Sequence, residues 1–330
     1  MPIQDVSTSM MALRAHHRGG PENLVYESAP VPRPAAGEVL LQVRAAAITF
    51  AELSWEESWT RRGVDRTPII PAHEVSGVVA ALGTGVTDFA VGDAVFGLVP
   101  FDRDGAAAEY VAAPVSSLAA KPTTADFRTA AAAPLGALTA WQALIEHARC
   151  SAGESVLIQG GAGSVGGYAT QLAHQLGAHV TATGRSADAD LVRRLGADVF
   201  VDYEKEQFDA ETGIYDVVVD TVGGPTLDRS YAVLRPGGRL VTLQTPPSQQ
   251  EADRFGVTAI FFIVRGDAEQ LRSVAGMIDA GQLRVTVAES LPLAAGRTAF
   301  LRGTAPDRRP GKTVLLVGEG DAERSADAVR

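Results

Sequence analysis

The chain has 330 residues and a formal charge of −10, with 46% hydrophobic and 21% charged residues. That length holds one large or two ordinary domains with an ample core, and the acidic balance argues against nucleic acid or an anionic membrane as the main partner. A single cysteine, Cys150, excludes an intrachain disulfide and any multi-cysteine zinc site, and a reducing, cytoplasmic compartment fits.

The opening stretch, MPIQDVSTSMMALRAHHRGG, has no sustained apolar core, so no secretory signal is expected. Nowhere do about 18 uncharged apolar residues run together, and no membrane span is predicted. Strand-like runs follow at 39–43, 75–82 and 94–99, each set off by Gly or Pro, which predicts a compact antiparallel, barrel-like domain. Near Phe127 the pattern changes to alanine-rich, helix-forming sequence, RTAAAAPLGALTAWQALIEHA. Beyond it, strands are predicted at 155–159, 179–183, 199–202, 215–220, 239–243 and 259–264. They alternate with helices at 164–176, 188–195, 225–234 and 267–280. Six strands with intervening helices predict an α/β doubly wound parallel sheet. The segment from Gln282 returns to short strand-like pieces and closes on the apolar Thr313–Val317, followed by a polar tail expected to fray.

The run SVLIQGGAGSVGG (155–167) carries the most chemical information. Val156-Leu157-Ile158 feeds into Gly161-x-Gly163-x-x-Gly166. Apolar residues then recur at helical spacing from Val165 through Tyr168, Ala169, Leu172, Ala173 and Leu176. A strand, a glycine turn carrying Ser164 and a helix make a cradle for a dinucleotide pyrophosphate. Backbone can approach the phosphates there, and the helix N-terminus offers N–H groups and a positive dipole end. A carboxylate at the end of the second strand would select NAD by holding the adenosine ribose hydroxyls. Here that strand runs into Gly184-Arg185-Ser186. A guanidinium and a hydroxyl suit a 2′-phosphate, so the predicted cofactor is NADPH. Tyr203 at the end of the third strand either flanks that phosphate or is an ordinary strand-end tyrosine.

Several segments in matching order resemble one family. They are PRPAAGEVLLQV (32–43), IPAHEVSGVVAALGTGV (70–86), FAVGDAVFG (89–97), AAAEYV (106–111), PLGALTAWQAL (134–144), the cradle, YDVVVDTVGG (215–224), LRPGGRLVTL (234–243) and GKTVLLV (311–317). Together they resemble the medium-chain dehydrogenase/reductase superfamily in its zinc-free quinone oxidoreductase and enoyl reductase branch. The resemblance implies a discontinuous GroES-like catalytic domain (1–126 and 266–330) around a Rossmann NADPH-binding domain (127–265). The active site is then expected in the cleft between them. It also implies a homodimer through the 259–264 strand.

In zinc-dependent relatives three side chains hold the metal, and the matching positions here are Thr49, His73 and Leu135. A catalytic zinc needs three protein ligands, so no metal is expected. His73 is then either a structurally satisfied relic or a polar group that touches substrate or donates a proton. Where zinc-free relatives often carry Asn-Pro-x-Asp, this chain has Thr49-Phe50-Ala51-Glu52, so Thr49 and Glu52 join His73 as catalytic candidates. Thr139, Val222, Thr245, Phe261 and Val264 match positions beside the nicotinamide, against a competing reading as core, strongest for Phe261. Lys312 is either structural or a cofactor contact. Trp55 and Trp59 either wall a planar substrate pocket or pack their loop. Tyr110 and the Asp102-Arg103-Asp104 loop are candidates for proton delivery or for the rim.

The implied reaction is NADPH-dependent hydride transfer to a small electrophilic acceptor, an activated C=C or a quinone. Hydrogen-bond donors replace a metal at the developing oxyanion. Alternatives are a catalytically silent NADPH-binding protein, a specialised biosynthetic enone reductase or reductive cyclase, and, last, a zinc alcohol dehydrogenase.

Overall fold

The long strand Glu38–Ile48 organises the first half of the chain. Val39, Leu41 and Val43 point into one apolar core, and a register shift between Val43 and Ala45 then changes the phase. Beyond that bulge Ala46 and Ile48 face the same core, while Ala45 and Ala47 turn to the other side. The second face is small because the helix Phe127–Ala131 closes over it, with Ala131 and Ala132 against Ala45, Ala47, Val314 and Leu316.

The computed structural model describes residues 7–305 and 308–318. The expected frayed tail after Gly318 and the first six residues lie outside them. Two units are present, one of residues 1–135 and 265–330, the other of residues 136–264.

In the first unit a seven-stranded sheet runs in the order Val287–Pro292, Lys312–Leu316, Glu38–Ile48, Glu74–Leu82, Ala94–Leu98 and Leu118–Ala120. Tyr110–Pro114 pairs as the seventh strand on Glu38–Ile48. This is the GroES-like architecture. A hairpin that the sequence pattern did not predict, Ser9–Ala15 with Leu24–Pro30, adds Met10, Ala12, Leu13 and Ala15 to the core. Its inward side chains are mostly alanine and methionine, residues of weak strand preference.

In the second unit the six strands are all parallel, in the order Val199–Asp202, His179–Gly184, Ser155–Gln159, Tyr215–Asp220, Leu234–Thr242, Thr258–Phe261. The order reverses at Ser155–Gln159, and in such sheets ligands bind beyond the carboxyl ends of the strands at that reversal. The largest boundary shifts in this unit are at the fifth and sixth strands. The fifth strand starts at Leu234, and the sixth ends at Phe261 instead of continuing to 264. The alanine-rich segment is two helices, Phe127–Ala131 and Pro134–Trp141, continued by a π-turn over Gln142–His147. Pro134 lacks an N–H and so opens a helix but cannot continue one. Among the described residues, no helix is long and apolar enough to cross a membrane.

Cys150 is buried, and burial pushes its thiol up to about 11. The thiolate is the reactive form, so native protein at neutral pH is expected to resist an aromatic disulfide reagent and to react fully in denaturant. Rapid labelling of the native protein would contradict the burial.

Candidate active site

The glycine turn sits at the carboxyl end of Ser155–Gln159 and opens the helix Gly166–Gln175. Its glycines have separable duties. A Cβ on Gly166 would lie 2.1 Å from the Gly160 carbonyl oxygen, and one on Gly161 would lie 2.7 Å from Ala182 Cβ. These two allow strand and helix to approach. Gly163 is exposed, and the nearest atom to a Cβ there is the Gly160 carbonyl oxygen at 3.1 Å. Ser164 Oγ is buried in this turn with no hydrogen-bond partner. An orphaned hydroxyl beside helix N–H groups is the donor that a pyrophosphate oxygen would complete, so the cradle fits a dinucleotide. Val165 is the N-cap of the helix.

Most of the remaining candidates of this unit lie at or just past the carboxyl ends of the same strands. Arg185 and Ser186 follow His179–Gly184, and Tyr203 follows Val199–Asp202 with its N–H donating to Gly184 O at 3.2 Å. Tyr203 is exposed; partial burial raises its phenol and the Arg185 charge opposes the rise. Arg185 Nε pairs with Asp188 at 3.2 Å. Ser186 Oγ donates to Asp202, and Lys205 Nζ lies 2.6 Å from Ser186 Oγ and 2.8 Å from Asp202 Oδ2. Hydrogen bonds from Lys205 and Ser186 hold the Asp202 carboxyl below its usual range. Lys205 was not singled out from sequence. Its only signal there is its place two residues after Tyr203.

Val222 stands exposed after Tyr215–Asp220, on a turn that the buried Asp220 carboxylate ties through the Val222 N–H at 3.1 Å and the Gly223 N–H at 3.0 Å. Thr245 is exposed beyond Leu234–Thr242, and Phe261 and Val264 are half-buried at the end of Thr258–Phe261 and past it. Thr139 is buried within Pro134–Trp141.

In the other unit, Thr49, Glu52 and His73 come together. Glu52 is 1% exposed and accepts from Thr49 N at 3.3 Å, from Ala72 N at 3.0 Å, and meets His73 Nδ1 at 3.0 Å. His73 Nε2 faces Arg103 O at 3.3 Å. Ala72 adopts φ +65°, a costly conformation for alanine that this network holds in place. Next to it, Glu74 forms an ion pair with Lys312 and accepts from Leu135 N at 3.0 Å. Burial pushes the Glu74 carboxyl up, against the pull of the Lys312 ammonium. Thr49 is half-buried and its Oγ1 accepts from Lys312 Nζ at 2.9 Å.

The two tryptophans separate. Trp59 is core, its indole donating to Leu53 O at 2.8 Å. Trp55 is half-buried edge-to-face on Phe101, whose ring also meets His73 at 5.1 Å. The 102–104 loop is tied down by Arg61–Asp102, Arg103–Glu38 and Arg66–Asp104 pairs.

Two family models match: an alcohol dehydrogenase GroES-like domain over residues 35–123, and a zinc-binding dehydrogenase over 195–315. An NADPH-dependent alkenal/one oxidoreductase of Arabidopsis thaliana chloroplasts is 33% identical over 293 residues, covering 85% of this chain and 72% of the relative. The chain belongs to the medium-chain dehydrogenase/reductase superfamily. Its branch is that of the quinone and alkenal/one oxidoreductases. The quinone oxidoreductase of Coxiella burnetii superposes with a TM-score of 0.85 at 28% identity, over 94% of this chain and all (100%) of that one. Mycobacterial Rv1454c, solved with NADPH, gives 0.81 at 30% identity over 93% of this chain and 99% of its own. This superfamily member is an NAD(P)H-dependent oxidoreductase.

The zinc in one family model's description does not fit these residues. Leu135 offers no ligand atom, Thr49 Oγ1 is taken by Lys312, and each His73 nitrogen faces an acceptor. Among the described residues, no three His, Cys, Asp or Glu side chains group to hold a metal.

Proposed function

We propose that the chain is an NADPH-dependent reductase of electron-poor double bonds conjugated to a carbonyl, or of quinones, working without a metal. The observation that carries this reading is the replacement of a zinc ligand set by a hydroxyl backed by a buried ammonium, Thr49 on Lys312. The names of the Arabidopsis and Coxiella relatives support the acceptor classes, and the NADPH bound by the mycobacterial one supports the cofactor. Arg185, Ser186, Tyr203 and Lys205 hold the 2′-phosphate. The glycine turn and Ser164 hold the pyrophosphate, while Thr139, Val222, Thr245, Phe261 and Val264 flank the nicotinamide.

When bound, the cofactor supplies the hydride. On a conjugated carbonyl the hydride adds to the β-carbon and negative charge moves to the oxygen. Thr49 donates a hydrogen bond to that oxygen, which is worth most where water is excluded. Glu52 and His73 hold the Thr49 backbone and the Ala72 turn in place. Protonation of the α-carbon completes the reduction.

Oxidation of NADPH should proceed with 2-alkenals, enones or quinones and survive dialysis against a chelator. Primary alcohols with NADP⁺ should give no turnover. Alcohol oxidation abolished by chelation would overturn the reading.

A further inference from the structure

Lys312 touches Thr49 as well as Glu74. Thr49 lies one residue past Glu38–Ile48, a strand flanked by Lys312–Leu316 on one side and Glu74–Leu82 on the other. The registers pair Thr313 with Ile48 and Glu74 with Ala47. Three residues far apart in sequence, Lys312, Thr49 and Glu74, therefore meet at one end of the sheet. Lys312 and Glu74 are 5% and 1% exposed, whereas Thr49 retains surface.

An ammonium has three donors and no acceptor, so Thr49 Oγ1 can only accept from it. The hydroxyl has one hydrogen of its own, and among the described residues nothing accepts it. No hydrogen bond joins the hydroxyl to Glu74, whose Oε1 accepts from the Leu135 N–H and whose Oε2 pairs with the ammonium. Glu52 takes the Thr49 backbone N–H and not the hydroxyl. A cation bonded to an oxygen also polarises its O–H and makes it a stronger donor. We infer that Lys312 is a positioning residue: it fixes Thr49 as a hydrogen-bond donor and strengthens that donor toward the substrate oxygen on which charge develops. The inference rests on the reductase reading above for the identity of that oxygen. Glu74 keeps the ammonium charged and in place under the hydroxyl.

The test removes both buried charges together, because Lys312→Met alone would strand Glu74. Lys312→Met with Glu74→Gln, Thr49→Val, Thr49→Ser and the triple Thr49→Val, Lys312→Met, Glu74→Gln are compared with wild type, folding being checked by circular dichroism. Two readouts are taken. The first is kcat with an enone or quinone alongside KM for NADPH. The second is binding of p-nitrophenolate to the cofactor-free protein, followed by the absorbance of the anion.

Expected is a loss of about 100-fold in kcat for Thr49→Val and for the charge-free pair, as for an oxyanion donor. KM for NADPH stays unchanged, activity is retained in Thr49→Ser, and the triple variant shows no further loss. Phenolate affinity should fall in the same variants. A folded charge-free pair with wild-type kcat and wild-type phenolate affinity overturns the inference while leaving the reductase reading intact. Lys312-dependent phenolate binding in a wild type that reduces no enone or quinone would sustain the inference and overturn that reading.

Discussion

Replacing both Arg185 and Lys205 by alanine is expected to raise KM for NADPH about 100-fold, with KM for NADH almost unchanged. Each cation can give a charged hydrogen bond to the 2′-phosphate, roughly twice as strong as a neutral one. Solvent and existing partners weaken both. Arg185 is 38% exposed and already pairs with Asp188, and Lys205 is 69% exposed and pairs with Asp202, so a phosphate must displace carboxylate partners. A loss of about tenfold for each cation multiplies to roughly two decades. NADH lacks the phosphate and has nothing to lose. Steady-state kinetics with both cofactors read the result, and equal losses for NADPH and NADH would move the phosphate site elsewhere.

Glu52→Ala should be the most damaging single truncation for stability, at about 3–5 kcal/mol. Its carboxylate takes the Ala72 N–H and one imidazole nitrogen away from water, and the Thr49 N–H at a half-buried edge. Truncation strands two buried partners and frees Ala72 from one of the bonds that hold its positive φ. A lower urea midpoint measures the effect. Glu52→Gln keeps a carbonyl acceptor but turns an amide N–H₂ toward donors, so an intermediate shift is expected. A midpoint unmoved in Glu52→Ala would mean that the carboxylate does not organise the Thr49–His73 corner.

The glycine cradle was legible because its signals are local: an apolar run, a glycine spacing and helical periodicity within one short stretch. The same holds for the parallel strands, whose cores of Val217, Val218 and Val219 or Leu240 and Val241 are short and apolar. Lys205 was not legible, since nothing in Tyr-Glu-Lys-Glu says that its lysine folds back toward a serine just past the preceding strand. Nor was the Lys312–Thr49 contact, which joins residues 263 apart and depends on strand register. Trp55 and Trp59 each follow a serine in the same polar stretch. They part only because the one-turn helix between them, Glu56–Trp59, sends one ring inward and leaves the other on Phe101. The N-terminal hairpin escaped because alanine and methionine on its inner face give no alternation strong enough to read.

The strand carrying Lys312 is also the last one described in the chain, and it pairs directly against Glu38–Ile48. Until residue 312 leaves the ribosome, Thr49 has no cation beneath it and Glu74 has no counter-charge. Every residue of the nucleotide cradle has by then been made. In the proposed scheme, the residues that bind the reductant are therefore all synthesised before the cation that aids its discharge.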